Sequence, residues 1–158
     1  VAGLQALGEL HPDLDLGRVG ITGWSFGGML AGLAVLDRPD VFHAAVSGAP
    51  VAEQSLYDTA YTERYLGLPD EQPEAHRVSS LLWRAPQLER PLLIIHGLAD
   101  DNVLAANTLQ LSSALLAAGK PHSVLPLSGV THMTPQEIVA ENLLRLEVQF
   151  FQDHLGGA

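Results

Sequence analysis

No cysteine occurs among the 158 residues. That absence excludes a disulfide framework and a thiol nucleophile, and it suits either side of a membrane, so the compartment stays open. Positive charge is scarce: 8 Lys and Arg stand against 18 Asp and Glu, a net charge of −10. With so few cations and no basic patch, neither nucleic acid nor an anionic membrane surface is an expected partner. No apolar run approaches the ~20 residues of a membrane span. No His-Glu-x-x-His or comparable ligand spacing is present, so no metal and no cofactor are expected. There are no internal repeats, low-complexity tracts or long linkers. What remains is a chain 47% hydrophobic, enough for one domain with a sizeable core. It opens on Val1 in what reads as the end of a helix, Val1–Leu10, with no signal peptide visible. The expectation is a piece of something longer.

Strand-like and helix-like stretches alternate. Strands are predicted at Arg18–Thr22, Ala44–Ser47, Leu92–Ile95 and Ser123–Leu127, and helices over Phe26–Asp37, Ala105–Ala118 and Pro135–His154. Leu92-Leu93-Ile94-Ile95 is a continuous apolar run, as expected of a strand covered on both faces. Gly119 is a C′ signal for the second of these helices, which Leu109, Leu111, Leu115 and Leu116 should anchor. Thr134 and Pro135 suit the N-cap and first turn of the last helix, with Ile138, Val139, Leu143, Leu146 and Phe150 as its apolar stripe. A polar and aromatic insert, residues 51–90, carries short helical pieces near 59–65 and 80–83. The alternation predicts an α/β fold, a mostly parallel sheet with helices on both faces. Four strands are few for such a sheet, so N-terminal strands of the fold are expected to be missing.

Gly23-Trp24-Ser25-Phe26-Gly27 directly follows the first predicted strand and opens the first helix. Gly-x-Ser-x-Gly in that setting is the pattern of a nucleophile elbow, a strained strand-to-helix turn that presents a serine hydroxyl. Glycine is expected on both sides of the serine, where a Cβ would clash. A serine hydroxyl needs a base to take its proton, and the base needs an acid to hold its tautomer. In open parallel sheets such groups gather beyond the carboxyl ends of the strands. After the third strand comes His96-Gly97-Leu98-Ala99-Asp100-Asp101-Asn102-Val103, and after the fourth Ser128-Gly129-Val130-Thr131-His132-Met133. The order Ser, Asp, His is that of α/β-hydrolases. Ser25 is the candidate nucleophile, His132 the base, and Asp100 or Asp101 the acid. Physics alone does not separate the two aspartates. His96 is expected to be a hydrogen-bonded structural residue that shapes the acid turn. His11, His43, His76, His122 and His154 lie away from strand ends or on polar faces and read mostly as surface residues.

From Arg18 to the final helix these residues resemble the prolyl oligopeptidase family of serine peptidases, and within it the dipeptidyl peptidase IV branch. The resemblance rests on Gly23-Trp24-Ser25-Phe26-Gly27-Gly28, on the His96–Val103 motif, and on Tyr57-Asp58-Thr59-Ala60-Tyr61-Thr62-Glu63-Arg64-Tyr65 after Ala49-Pro50-Val51. It implies that Asp100 is the acid, and that Val51, Tyr57, Tyr61, Val103 and the Phe26 ring line a small apolar pocket suited to proline. It also implies that Asn102 hydrogen-bonds a substrate backbone carbonyl. The Phe26 backbone N–H is the expected oxyanion donor within this chain. The resemblance puts the second donor, a tyrosine hydroxyl, and the acidic residues that hold a substrate's amino terminus outside this chain. Two departures stand out: Phe26 replaces the usual Tyr, and Gln54 replaces a frequent Trp, which should leave the pocket wall more polar or open.

The expectation is therefore that residues 1–158 are the C-terminal portion of an α/β-hydrolase peptidase catalytic domain. Its partners would be a peptide substrate, a missing N-terminal half and β-propeller, and, as the resemblance implies, a second copy through the last helix and the neighbouring strand. The activity expected is that of an exopeptidase of dipeptidyl peptidase type preferring Pro or Ala at P1. The alternatives with the same triad are a carboxylesterase or an acylaminoacyl-releasing hydrolase, and, from another class, a non-catalytic binding or assembly module.

Overall fold

A computed structural model describes residues 1–156. Four strands, β1 (Gly20–Trp24), β2 (Ala44–Gly48), β3 (Leu92–Gly97) and β4 (Ser123–Leu127), pair in chain order into one parallel sheet. The helices are α1 (Ala2–Leu10), α2 (Phe26–Asp37), α3 (Thr59–Leu66), α4 (Pro73–Ser79), α5 (Leu81–Arg84), α6 (Ala106–Ala117) and α7 (Glu137–Leu155). The α/β class and the helix-covered parallel sheet are as the sequence predicts. Helix α4 was not anticipated: its seven residues carry no apolar period, and only Pro73 at its start announces it.

Strands that advance in one direction by right-handed crossovers put every crossover on the same face. Accordingly α2, α5 and α6 pack together on one face, with Val35, Leu36, Leu81, Leu111 and Leu115 against Ala45, Leu92 and Ile94. The alternate strand residues Val46, Leu93 and Ile95 point the other way, onto Leu143, Phe150 and Phe151 of α7. Both faces of β2 and β3 are thus sealed, and every residue of these strands is buried. Burial on both faces is why these strands read as apolar runs without alternation.

Two helices turn differently from expectation. In α6 the inward stripe is Asn107, Thr108, Leu111 and Leu115, while Leu109 and Leu116 are exposed. The i, i+4, i+8 geometry selects one stripe, and Leu109 and Leu116 fall outside it. In α7 Leu143 is the buried anchor, and Ile138 and Leu146 are exposed. That helix begins at Glu137, with Gln136 at its N-cap and no side-chain capping bond. Thr134 and Pro135 therefore do not start it. Residues 131–136 instead run as the loop that carries His132, whose main chain is tied to β1 by Trp24. Among the described residues no helix is long and apolar enough to cross a membrane.

Candidate active site

All four strands run in parallel, so Trp24, Gly48, Gly97 and Leu127 end at one edge of the sheet. Ser25 follows Trp24 at once and has φ 60°, ψ −121°, a conformation that side chains rarely adopt. The strain is held by its neighbours: Ser25 N–H donates to Gly48 O at 2.8 Å, and Ser25 O accepts from Met29 N–H at 3.0 Å. The turn is as tight as the motif implies, but not at both glycines. A Cβ on Gly23 would lie 2.2 Å from Gly27 O, and one on Gly28 would lie 2.1 Å from Gly48 O. A Cβ on Gly27 would meet nothing within 4 Å. The second constraint therefore sits on Gly28, where α2 presses against the end of β2. The Phe26 amide is the first of α2 and so has no acceptor within the helix.

The turn after β3 holds Asp100. Asp100 is 5% exposed, and its Oδ1 accepts from the Asn102 and Val103 amides at 3.0 and 2.9 Å. Its other oxygen, Oδ2, lies 2.8 Å from His132 Nδ1. Asp101 is exposed, so the structure separates two aspartates that physics on the sequence left equal. His96 braces the same turn, as expected. Its Nε2 donates to Val103 O at 2.7 Å, and its Nδ1 accepts from the Thr108 hydroxyl at 2.6 Å. A carbonyl can only accept, which fixes this tautomer. His96 Nε2 also lies 3.5 Å from Asp100 Oδ2.

The loop after β4 carries His132 across to both. His132 Nε2 is 3.0 Å from Ser25 Oγ, so hydroxyl, imidazole and carboxylate form one unbroken hydrogen-bonded line. This loop rests on the acid turn: Ala99 N–H donates to Val130 O at 3.0 Å. A Cβ on Gly97 would lie 2.4 and 2.5 Å from Val130 O and Thr131 O. Glycine at 97 is what lets the two loops touch.

Beside this line lies a small apolar cluster of Met29, Val51 and Val103, with Leu33 and Tyr57 packed on it. The structure brings Val51, Val103 and Tyr57 together in this cluster. Tyr61 joins through an edge contact with Tyr57, ring centroids 5.6 Å apart. The Phe26 ring is exposed and stands outside this cluster. Tyr57 donates its hydroxyl to Asn102 Oδ1 at 3.1 Å, which leaves the Asn102 amide N–H groups free of that partner. Gln54 does not open the wall as expected. It is buried, with its amide nitrogen 3.2 Å from Met29 Sδ. Of the other histidines, His76 is buried and donates through Nε2 to Gly67 O at 3.0 Å, contrary to the surface assignment.

Sequence reasoning missed Thr108, Met29 and the contact of Trp24 with His132, whose carbonyl accepts from Trp24 Nε1–H at 2.7 Å. Trp24 sits inside the elbow motif, but nothing in a linear sequence says where an indole N–H points.

The chain is 44% identical over 127 residues to dipeptidyl peptidase 8 of Homo sapiens, covering 78% of this chain and 14% of that protein. It is 38% identical over 109 residues to dipeptidyl peptidase 4 of Bos taurus, covering 67% and 14%. The crystal structure of Porphyromonas gingivalis dipeptidyl peptidase 4 superposes with a TM-score of 0.90 at 35% identity, over 98% of this chain and 22% of that one. A putative dipeptidyl aminopeptidase IV from Bacteroides ovatus gives a TM-score of 0.92 at 30% identity, over the same shares. The chain therefore spans only about a fifth or less of the proteins it resembles. Residues 1–158 match the prolyl oligopeptidase family from end to end, and the chain belongs to that family.

Proposed function

We propose that this chain is the C-terminal portion of the catalytic domain of a serine peptidase of dipeptidyl peptidase type. The observation that carries the reading is the hydrogen-bonded line from Ser25 Oγ through His132 to Asp100, at 3.0 and 2.8 Å. In this reading Ser25 attacks the scissile carbonyl while His132 Nε2 takes its proton. His132 then protonates the leaving amine, and in the second half activates the water that releases the acyl group. Asp100 fixes the tautomer in which Nδ1 carries the proton and stabilises the imidazolium as it forms. The Phe26 amide is the oxyanion donor supplied here, and the second comes from a residue outside this chain.

For the substrate we propose Pro or Ala at P1. Support comes from the apolar cluster of Met29, Val51 and Val103 with Tyr57 at its side. A proline ring is compact, apolar and without an N–H, so it suits a mainly apolar surface of this kind. Asn102, with its oxygen engaged by Tyr57, has N–H groups to offer to a substrate carbonyl. The curated relatives are dipeptidyl peptidases, which favours release of dipeptides over ester or acyl-peptide hydrolysis.

The intact protein tests this. A fluorophosphonate probe should label Ser25, and Ser25→Ala should abolish both labelling and turnover of Gly-Pro and Ala-Pro reporter amides. Unchanged peptidase activity in Ser25→Ala sinks the mechanism. Faster turnover of simple esters or acyl-peptides than of X-Pro amides sinks the substrate class. The isolated 158-residue chain should turn over poorly, because loss of one oxyanion donor alone costs roughly 10²–10³ in rate.

A further inference from the structure

We propose that Trp24 is a positioning residue for the base: its indole N–H holds the main chain of the histidine loop in place relative to the nucleophile. The inference rests on the reading of His132 as the base. Among the described residues, the hydrogen bonds that reach residues 131–135 from other parts of the fold all end on His132. Two are made by its ring, to Ser25 and Asp100, and the third is made by its carbonyl to Trp24 Nε1, at 2.7 Å. The ring bonds belong to the chemistry. The bond to Ser25 is exchanged as the proton moves and the leaving group is protonated. The carbonyl bond takes no part in proton transfer, so it can hold the backbone still while the ring changes partners.

The tether starts from a fixed point. Trp24 is the last residue of β1 and the immediate neighbour of Ser25. Its ring lies over the end of β2, so close that a Cβ on Gly48 would come within 2.1 Å of Trp24 Cε3. It also packs on the cluster of Val46, Ile95 and Leu143. The indole therefore links the residue beside the nucleophile to the base itself, across 108 positions of sequence. Packing alone would be satisfied by any large aromatic ring. The atom that distinguishes this role is the N–H, which has a donor's function only, and its partner is the base's own carbonyl. Misplacing a catalytic group by about 1 Å costs roughly 10²-fold in rate, so even a small drift of this loop is felt.

The test separates the N–H from the ring. In the intact protein, position 24 is filled with 3-benzothienylalanine, which replaces the indole N–H by sulfur at nearly the same shape, and in parallel Trp24→Phe is made. The expected result for the isostere is a kcat roughly 10- to 100-fold lower, and an equal loss in the rate at which fluorophosphonate acylates Ser25. KM for an X-Pro amide should stay within about 2-fold, because uniform binding is untouched, and the melting temperature should fall only by what one lost hydrogen bond accounts for. Native kcat in the isostere overturns the proposal, and so does a loss carried by KM alone, which would set the indole against substrate. If Trp24→Phe fails to fold, the isostere still decides. Ser25→Ala runs beside them. Full activity there removes the serine mechanism and this role with it, whereas an inactive Ser25→Ala beside a fully active isostere removes only the role of Trp24.

Discussion

Asp100 is held by its own turn, and His132 is held by residues far away in the chain. The carboxylate accepts from amides two and three residues ahead, an arrangement that a short Asp-Asp-Asn segment can form by itself. Its second support, His96, lies four residues behind it. The imidazole has no such local frame. Its ring and carbonyl reach Asp100, Ser25 and Trp24, which lie 32, 107 and 108 positions away. Asp100 is thus held by bonds within its own turn, whereas His132 is held by residues at the ends of β1 and β3. This division suits the proposed chemistry. The acid must not move, and the base must exchange proton partners without losing its place.

Breaking the line where the two loops meet should have the largest effect. Asp100→Asn keeps the shape but offers a donor where His132 needs an acceptor. By analogy with other triads it should lower kcat in the intact protein by roughly 10⁴-fold, with little change in KM, measured on an X-Pro amide. A loss of less than tenfold would mean that the turn, not the charge, is what His132 requires. Gly97→Ala attacks the contact without touching either side chain. Its Cβ would fall within 2.5 Å of two backbone oxygens of the histidine loop, so that loop must shift. We expect activity to fall roughly 10²-fold, and Ser25 labelling to slow in step.

A change that weakens only the acid turn should cost stability before activity. Thr108→Val removes the hydroxyl that donates to His96 Nδ1 and leaves that buried nitrogen unpaired. Chemical denaturation should show a loss of about 1–3 kcal/mol, with kcat reduced much less than in Gly97→Ala. A larger effect on kcat than on stability would show that His96 acts on Asp100 directly rather than through its turn.

The smallest effect is expected at the surface, away from both loops. Glu74 pairs with the Arg77 guanidinium, chiefly through a side-chain hydrogen bond, and this holds its carboxyl below the usual range. A depressed folded-state pKa means that the pair's contribution is present above the unfolded value of 4.5 and is lost as pH falls through the folded one. Both side chains are exposed, so Glu74→Gln should leave the melting temperature at neutral pH unchanged within error. A clear drop would mean that the insert is more tightly coupled to the core than its exposure indicates.

Much of this was legible from the chain. Leu92–Ile95 reads as a doubly covered strand because burial on both faces removes every polar position, and β4 is found at Ser123–Leu127 as predicted. The elbow is visible because its glycines answer to a local clash, although the clash turned out to be at Gly28 rather than Gly27. What stayed hidden depended on rotation or on distance. Leu109, Leu116, Ile138 and Leu146 have helical spacing, but which stripe faces inward is set by the neighbouring elements. The start of α7 was misplaced because Thr134 and Pro135 are good local signals, and the loop is instead drawn out to bring His132 beneath Trp24. Gln54 was expected to leave the pocket wall more polar or open, and it is buried with its amide on Met29, so it does not open that wall.

The sequence by itself determined the order of elements, the serine at a strained turn, and an acid and a histidine beyond two later strands. These follow from short-range rules: apolar period, turn chemistry and the clash of a Cβ in a tight bend. The resemblance pointed to Asp100, but only the tertiary structure sets Asp100 rather than Asp101 against His132 and pairs the buried His96 with Thr108. The same holds for the contact of Trp24 with the carbonyl of His132. The choice between two adjacent aspartates, and the aim of one indole N–H, depend on how β1, β3 and β4 bring distant loops within 3 Å of one another, and no local pattern encodes that approach.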